Sequence, residues 1–230
     1  MTKHFVAWSG GLDSTLVLKT LLDEGIEPKL LSFIVPEFGQ EKVNRERVAR
    51  QRILDHFKKD LSVSEISLSL PFGYQSRGEG TSVIQQPLML SHSAFVVPND
   101  SIIHFGYHVG DSYFSFEPLI SKAVESILLC LGDKKIRYSF PLRFLSKPII
   151  VERMDNAGLT NLCHWCEKPS YHTTECECIP CYTMKESRLL LDQRRRDHMV
   201  DIGKIIFDFP LHESINEERK WTEVAKVGNV

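Results

Sequence analysis

The sequence predicts an α/β fold: a doubly wound, mostly parallel sheet with a small cysteine-bearing helical annex near its C-terminal end. Three observations carry this prediction. Short apolar runs alternate with amphipathic stretches over the first 160 or so residues, a Ser-Gly-Gly turn follows the first apolar run directly, and five of the six cysteines fall between Cys163 and Cys181. Alternation of strand and helix at this spacing argues for a parallel sheet covered on both faces. In such sheets ligands bind beyond the carboxyl ends of the strands.

Each element has its own signal. HFVAW (4–8) is a buried strand, and STLVLKTLLDEG (14–25) carries leucines at helical spacing and stops at Gly25. KLLSFIV (29–35) is a second strand. The charged stretch 40–59 is an amphipathic helix with Val43, Val48, Ile53, Leu54 and Phe57 as its expected inner face. VSEISLSL (63–70) alternates as a strand does, and the Gly-rich polar stretch 73–82 reads as a loop. VIQQPLMLSHSAFVV (83–97) is a helix whose start Pro87 limits. SIIHFGY (101–107) is a strand, 118–131 a helix with proline in its first turn, and KIRYSFPL (135–142) a short strand. The stretch 146–158 is a helix with Ser146 as N-cap and Gly158 as its stop; the cysteine-rich stretch follows, then a helix over 182–200.

Composition sets the class. The chain has 230 residues, of which 42% are hydrophobic and 25% charged, as in soluble globular proteins. Its formal net charge of -2 provides no global attraction to nucleic acid or an anionic membrane. The run Arg194-Arg195-Arg196 reads as a solvated helix face. No apolar segment is long enough to span a bilayer and no signal-peptide pattern opens the chain, so a reducing, cytoplasmic setting is expected. The expected organisation is a nucleotide-binding domain over 1–160, a cysteine region with its closing helix over 161–200, and a tail over 201–230.

The turn SGGLDS (9–14) lacks the Lys-Ser/Thr of a P-loop and is not a GxGxxG fingerprint, yet it shares their physics. Gly10 and Gly11 allow backbone turns closed to other residues and a close approach to an anion. Ser9, Ser14 and Thr15 supply hydroxyls, and the helix that follows presents unpaired N–H groups and a positive dipole end. Asp13 is the odd member, because a carboxylate repels phosphate; a Mg²⁺ ion between the two resolves the conflict. The plain alternative is a strand-to-helix turn with Asp13 or Ser14 as N-cap.

Cys163, Cys166, Cys176, Cys178 and Cys181 include two CxxC pairs, 163/166 and 178/181. In a reducing compartment such a cluster points to metal rather than disulfides. Four soft thiolates with no place for water make a closed, structural Zn²⁺ site, which contributes to folding rather than chemistry. Five thiols compete for four places, with His164 and His172 as further candidates. The two-knuckle set Cys163, Cys166, Cys178 and Cys181 is one solution. An iron–sulfur cluster and unliganded buried thiols are the other readings.

SGGLDS resembles the PP-loop of the N-type ATP pyrophosphatases, signature SGGxDS, which cleave ATP between its α and β phosphates. With the C-terminal cysteines, the chain resembles the 7-cyano-7-deazaguanine synthase family. Further matches fall in order: Phe38-Gly39-Gln40 for a YGQ-type motif, FGYHVGD (105–111) for a G-x-N-x-x-D segment with His108 in place of Asn, PLRFLSK (141–147) with Lys147 as the matching lysine, and CEKP…CECIPCYTMKESR ending at Arg188. The resemblance spans about residues 5 to 188. The chain departs from the family in its cysteine spacing (C-x9-C-x-C-x2-C), in VVPND (96–100), which lacks the family's Gly-Arg, and in SYFSFEP (112–118), where the family has Y-P-D-C-R.

The resemblance implies an ATP-dependent C–N ligase that forms AMP. It implies that 7-carboxy-7-deazaguanine is adenylated and that ammonia converts it to an amide, then to the nitrile preQ0 of queuosine biosynthesis. By analogy Ser9, Gly10, Gly11, Leu12, Ser14 and Thr15 hold the phosphates, Asp13 helps place Mg²⁺, and Phe33 lines the adenine. Asp111 is a second Mg²⁺ or substrate contact, and Lys147 and Arg188 are cations for pyrophosphate or developing charge. The favoured zinc ligands become Cys166, Cys176, Cys178 and Cys181. The implied partners are the small-molecule carboxylate, ammonia and a second copy in a homodimer, with no membrane or nucleic acid. Another PP-loop enzyme acting on a different carboxylate or a tRNA base, and a non-catalytic nucleotide-binding relative, are the rival readings.

Overall fold

Five parallel strands form one sheet in the order β3-β2-β1-β4-β5. The strands are β1 (Lys3–Ala7), β2 (Lys29–Ile34), β3 (Val63–Ser67), β4 (Ser101–His104) and β5 (Ile136–Ser139). The computed structural model describes residues 2–36, 39–68, 81–132, 134–166, 176 and 178–197. Outside these lie Phe38, His172, the tail 201–230 and most of the loop read at 73–82. β1 is central: Phe5 sits opposite Lys29 of β2 and opposite Ile103 of β4. The chain builds outward from β1 through β2 to β3, then returns to the other side of β1 to lay down β4 and β5. The order reverses between β1 and β4, the position where open α/β sheets bind ligands.

Among the described residues six α-helices cover the sheet: α1 (Leu12–Asp23), α2 (Gln40–Phe57), α3 (Thr81–Val96), α4 (Ser112–Cys130), α5 (Lys147–Asn156) and α6 (Ile179–Asp197). Strand residues alternate between two cores. Val6 and Trp8 of the first strand and its exit join Leu12, Leu16, Ile53, Ile150, Met154, Met184 and Leu191, so α1, α2, α5 and α6 share one face. Phe5, Ala7, Ile103 and Phe105 join Leu90, Ala94, Tyr113, Ile120 and Val124, so α3 and α4 cover the other. The sheet is therefore doubly wound, as the alternation predicts. No described helix is long and apolar enough to cross a membrane.

Several details differ from the sequence expectation, among them β5, which ends at Ser139 rather than 142, and α6, which begins at Ile179 rather than 182. α4 begins at Ser112 with Pro118 inside it, not in its first turn. The aromatic stretch before the proline is helical because Tyr113 and Phe114 pack into the second core. α3 likewise begins at Thr81, six residues ahead of Pro87. Strand β4 ends at His104 rather than at 107. Phe105 N–H still bonds to Ser139 O at 2.9 Å, but the chain then leaves the ladder. In α2, Val48 is 49% exposed. The inner face follows Val43, Ala49, Arg50 and Ile53, which leaves Val48 out of phase.

Candidate active site and cysteine cluster

The turn after β1 is held from several sides. Gly10 has φ +84°, and a Cβ there would lie 3.0 Å from Cγ of Arg50 and 3.3 Å from the Glu46 carbonyl oxygen. Both the left-handed backbone and the lack of room require glycine. Ser9 Oγ accepts from Gly11 N–H at 3.2 Å and lies 3.2 Å from Ser14 Oγ, which also accepts from Ser9 N–H at 3.3 Å. Gly11 is the N-cap of α1, and no side chain caps that end. Among the described residues the helix thus opens onto the cleft with no side-chain cap on its first turn, the arrangement that binds anions.

The cleft has a volume of about 260 Å³ and lies at the carboxyl ends of β1, β2 and β4. Ser9, Gly11, Asp13, Ser14, Phe33 and Asp111 line it. Gly10, Leu12, Thr15 and Lys147 do not. Leu12 is buried in the core, and Thr15, fully buried, accepts the Trp8 indole N–H at 3.1 Å. Arg188 is exposed on α6 and is also absent from the lining.

Lys147, the first residue of α5, donates from Nζ to Oδ1 and Oδ2 of Asp13, each at 2.7 Å. His108 stands between two of the cleft carboxylates: its Nε2 lies 3.9 Å from Asp13 Oδ1 and 3.8 Å from Asp111 Oδ2. Its Nδ1 lies 2.7 Å from the Val109 carbonyl, which can only accept, so Nδ1 donates and Nε2 faces the acids. Asp111 Oδ2 accepts from His108 N–H at 2.7 Å. Burial pushes the Asp111 carboxyl above its usual range, against the opposing pull of His108. Asp13 and Asp111, two carboxylates that line one cleft, fit a hard divalent cation such as Mg²⁺.

Gly106 closes the site from the β4 side. A Cβ there would lie 2.8 Å from Asp13 C and from Ser14 N. The exit of β4 is thus pressed onto the first turn of α1, and only glycine permits the approach. Next to it, Tyr107 stacks on Tyr113 with centroids 4.6 Å apart and planes 16° apart, and Phe140 completes the aromatic wall.

Sequence reasoning did not assign the α2 contribution. Lys42 and Glu46 line the cleft, and buried Arg50 reaches behind the turn, with Nη1 3.4 Å from the Ser9 carbonyl and Nη2 2.9 Å from Glu65 Oε1. Burial raises the Glu46 carboxyl pKa and lowers that of the Arg50 guanidinium. The signal was present: Lys42, Glu46 and Arg50 recur every four residues and so share one helix face. Trp8, Met89 and Tyr107 are further lining residues that no local pattern marked as such, whereas Gly106 is the glycine of the G-x-N-x-x-D match.

Cys166, Cys176, Cys178 and Cys181 meet, all their Sγ atoms lying within 4.8 Å of one another. Sγ of Cys166 is 3.6 Å from that of Cys176 and 3.8 Å from that of Cys178. Tetrahedral bonds of about 2.3 Å place thiolates about 3.8 Å apart, so the spacing suits a single soft cation. Cys163 stands apart, buried beside α1, where its thiol hydrogen-bonds Thr15 and burial pushes its pKa up to about 12. His164 donates its backbone N–H to Gly10 O at 3.0 Å.

No family model and no curated protein matches the chain. Among solved structures it is similar to a predicted tRNA methyltransferase subunit from Methanocaldococcus jannaschii, with 14% identity, a TM-score of 0.45, and 67% of this chain and 74% of that one covered. It is also similar to the U34-tRNA thiolase NcsA from Methanococcus maripaludis, solved with its 4Fe-4S cluster, with 14% identity, a TM-score of 0.46, and 85% of this chain and 66% of that one covered.

Proposed function

We propose that the chain is an ATP-dependent enzyme that splits ATP between its α and β phosphates and leaves AMP on an acceptor oxygen. The observation that supports it most is the SGGLDS turn at the carboxyl end of β1, its helix end open to the cleft and its Asp13 paired with Lys147. A carboxylate is a poor electrophile because its oxygen leaves badly. Attack of that oxygen on the α phosphorus releases pyrophosphate and makes the oxygen part of a good leaving group. Ammonia then adds to the activated carbon, and AMP departs with the oxygen while a proton is lost.

The chain's tasks are positioning and charge neutralisation. The α1 N-terminus and the Ser9 and Ser14 hydroxyls would hold phosphate oxygens, and Phe33 would face the base. Lys147 is placed to leave Asp13 for the phosphates when nucleotide arrives. Asp13 and Asp111 would hold Mg²⁺, which supplies charge neutralisation on the phosphates. Zinc is the proposed occupant of the four thiolates, on the strength of their spacing. The proposed acceptor is 7-carboxy-7-deazaguanine, carried to amide and then, with a second ATP, to nitrile.

The test is AMP and pyrophosphate release from ATP, Mg²⁺ and ammonium with that carboxylate, run in parallel with unmodified tRNA. Turnover that needs the free base and is lost in Asp13→Asn supports the reading. Turnover only with tRNA transfers the same chemistry to a nucleic-acid acceptor. Absence of both products with every acceptor overturns it.

A further inference from the structure

We propose that metal occupancy of the four-cysteine site and nucleotide binding at the 9–14 turn are thermodynamically linked through the segment Cys163–Cys166, with the His164 backbone amide as the positioning group. The inference rests on the nucleotide and metal readings given above and adds a coupling between them.

Two sites that look separate in sequence share this one short strap. His164 N–H donates to the Gly10 carbonyl at 3.0 Å, and a Cβ on Gly11 would lie 3.3 Å from the His164 carbonyl oxygen. The strap therefore runs against both glycines of the turn. On its N-terminal side Cys163 is buried, its N–H bonds to Thr160 O at 3.2 Å and its thiol to Thr15. On its C-terminal side Cys166 is fully buried among the other thiols, with Sγ atoms 3.6 and 3.8 Å away. One end is tied to the core and the other to the cysteine cluster.

The turn depends on this strap. Gly10 sits at φ +84° with Arg50 on one side and His164 on another, and no side chain caps α1. A metal ion fixes Cys166 relative to three other thiolates. Without the ion that end of the strap gains freedom, and the Gly10 carbonyl loses a firmly placed donor. Nucleotide must then order the turn as it binds, which weakens its affinity. Linkage makes the effect reciprocal: nucleotide tightens metal binding by the same factor.

The probes are a non-hydrolysable α,β-methylene ATP analogue and zinc. The analogue's Kd is measured by calorimetry on zinc-loaded and chelator-stripped full chain, and zinc affinity by chelator competition with and without saturating analogue. We expect stripping to weaken analogue binding about fivefold or more, and the analogue to tighten zinc by the same factor. In His164→Pro the donor is removed; Cys163, at φ −80° and ψ 154°, already has the extended backbone that proline demands of its predecessor. That variant is expected to keep its zinc stoichiometry and lose the loaded-to-stripped difference. Equal Kd values with and without zinc, or zinc affinity indifferent to the analogue, overturn the coupling. Circular dichroism of the stripped chain accompanies both arms: a stripped chain that keeps its fold lets the tightening of zinc by the analogue report the strap, and one that unfolds overturns the strap as the link, because any ligand of the folded state would then tighten zinc. Loaded chain that binds no analogue overturns the nucleotide reading instead, and a chain that takes up no zinc overturns the metal reading; either removes the coupling with it.

Discussion

Lys147 Nζ lies 2.7 Å from both carboxylate oxygens of Asp13, a contact across 134 positions of sequence that joins the start of α5 to the first turn of α1. It places the one acid of the SGGLDS turn under the control of a cation that could instead serve phosphate. Lys147→Met is expected to lower AMP formation about 100-fold, the scale for removing one donor aimed at developing charge. Its effect on folding is expected to be small, about 1 kcal/mol or less, because Asp13 remains 31% exposed and solvated. Steady-state AMP release and a urea melt on the same preparation separate the two effects. A melt shifted as strongly as turnover would show the pair to be structural.

Much of this arrangement was legible in the sequence, and the division follows physical range. Strand and helix alternation depends on local periodicity, so the sheet and its two covered faces could be read directly. The glycines of the turn and the clustered cysteines are close in sequence and carry their chemistry in their spacing. Pairings such as Lys147 with Asp13, Gly106 against Ser14, and His164 with Gly10 depend on which strand neighbours which, and no local pattern encodes that. Pro118 misled for a related reason: local propensity disfavours a proline within a helix, but burial of Tyr113 and Phe114 outweighs it.

Gly106→Ala tests how tightly β4 presses on α1. The added methyl would meet backbone atoms of Asp13 and Ser14 at 2.8 Å, and backbone cannot swing aside as a side chain can. Overpacking of this kind costs roughly 1–3 kcal/mol. The urea midpoint should fall accordingly, and analogue affinity should fall with it because the displaced atoms belong to the turn proposed to hold phosphate. A variant with wild-type affinity would place analogue binding away from this turn.

The six cysteines should differ sharply in reactivity. Cys130 is exposed on α4, Cys163 is buried with its thiol pKa pushed up to about 12, and the remaining four converge in one cluster. Only thiolate reacts readily. Alkylation of zinc-loaded native chain at pH 8 is expected to label one cysteine quickly, and mass mapping should place the label on Cys130. Chelation should release four more, with Cys163 following only on unfolding. Early labelling of Cys163 in loaded protein would show that its pocket beside Thr15 is open.

A histidine pair on β1 and β4 is expected to make stability depend on pH. His4 and His104 stack across β1 and β4 with planes 9° apart, and His4 Nδ1 is 3.0 Å from His104 Nε2. Burial, and then the neighbouring His4, lowers the His104 pKa from 6.5 to about 3. Burial and Arg137 lower that of His4, against a weaker opposing effect of Glu24. In the unfolded chain both rings take up protons below about 6.5, while folded His104 does not until about 3. Between those values the unfolded state binds more protons, so stability is full above 6.5 and falls as the pH drops. The slope from His104 is up to about 1.4 kcal/mol per pH unit. His104→Phe, which keeps a planar ring against His4, is expected to flatten the dependence of Tm on pH between 6.5 and 4. An unchanged slope would show that the pair titrates normally.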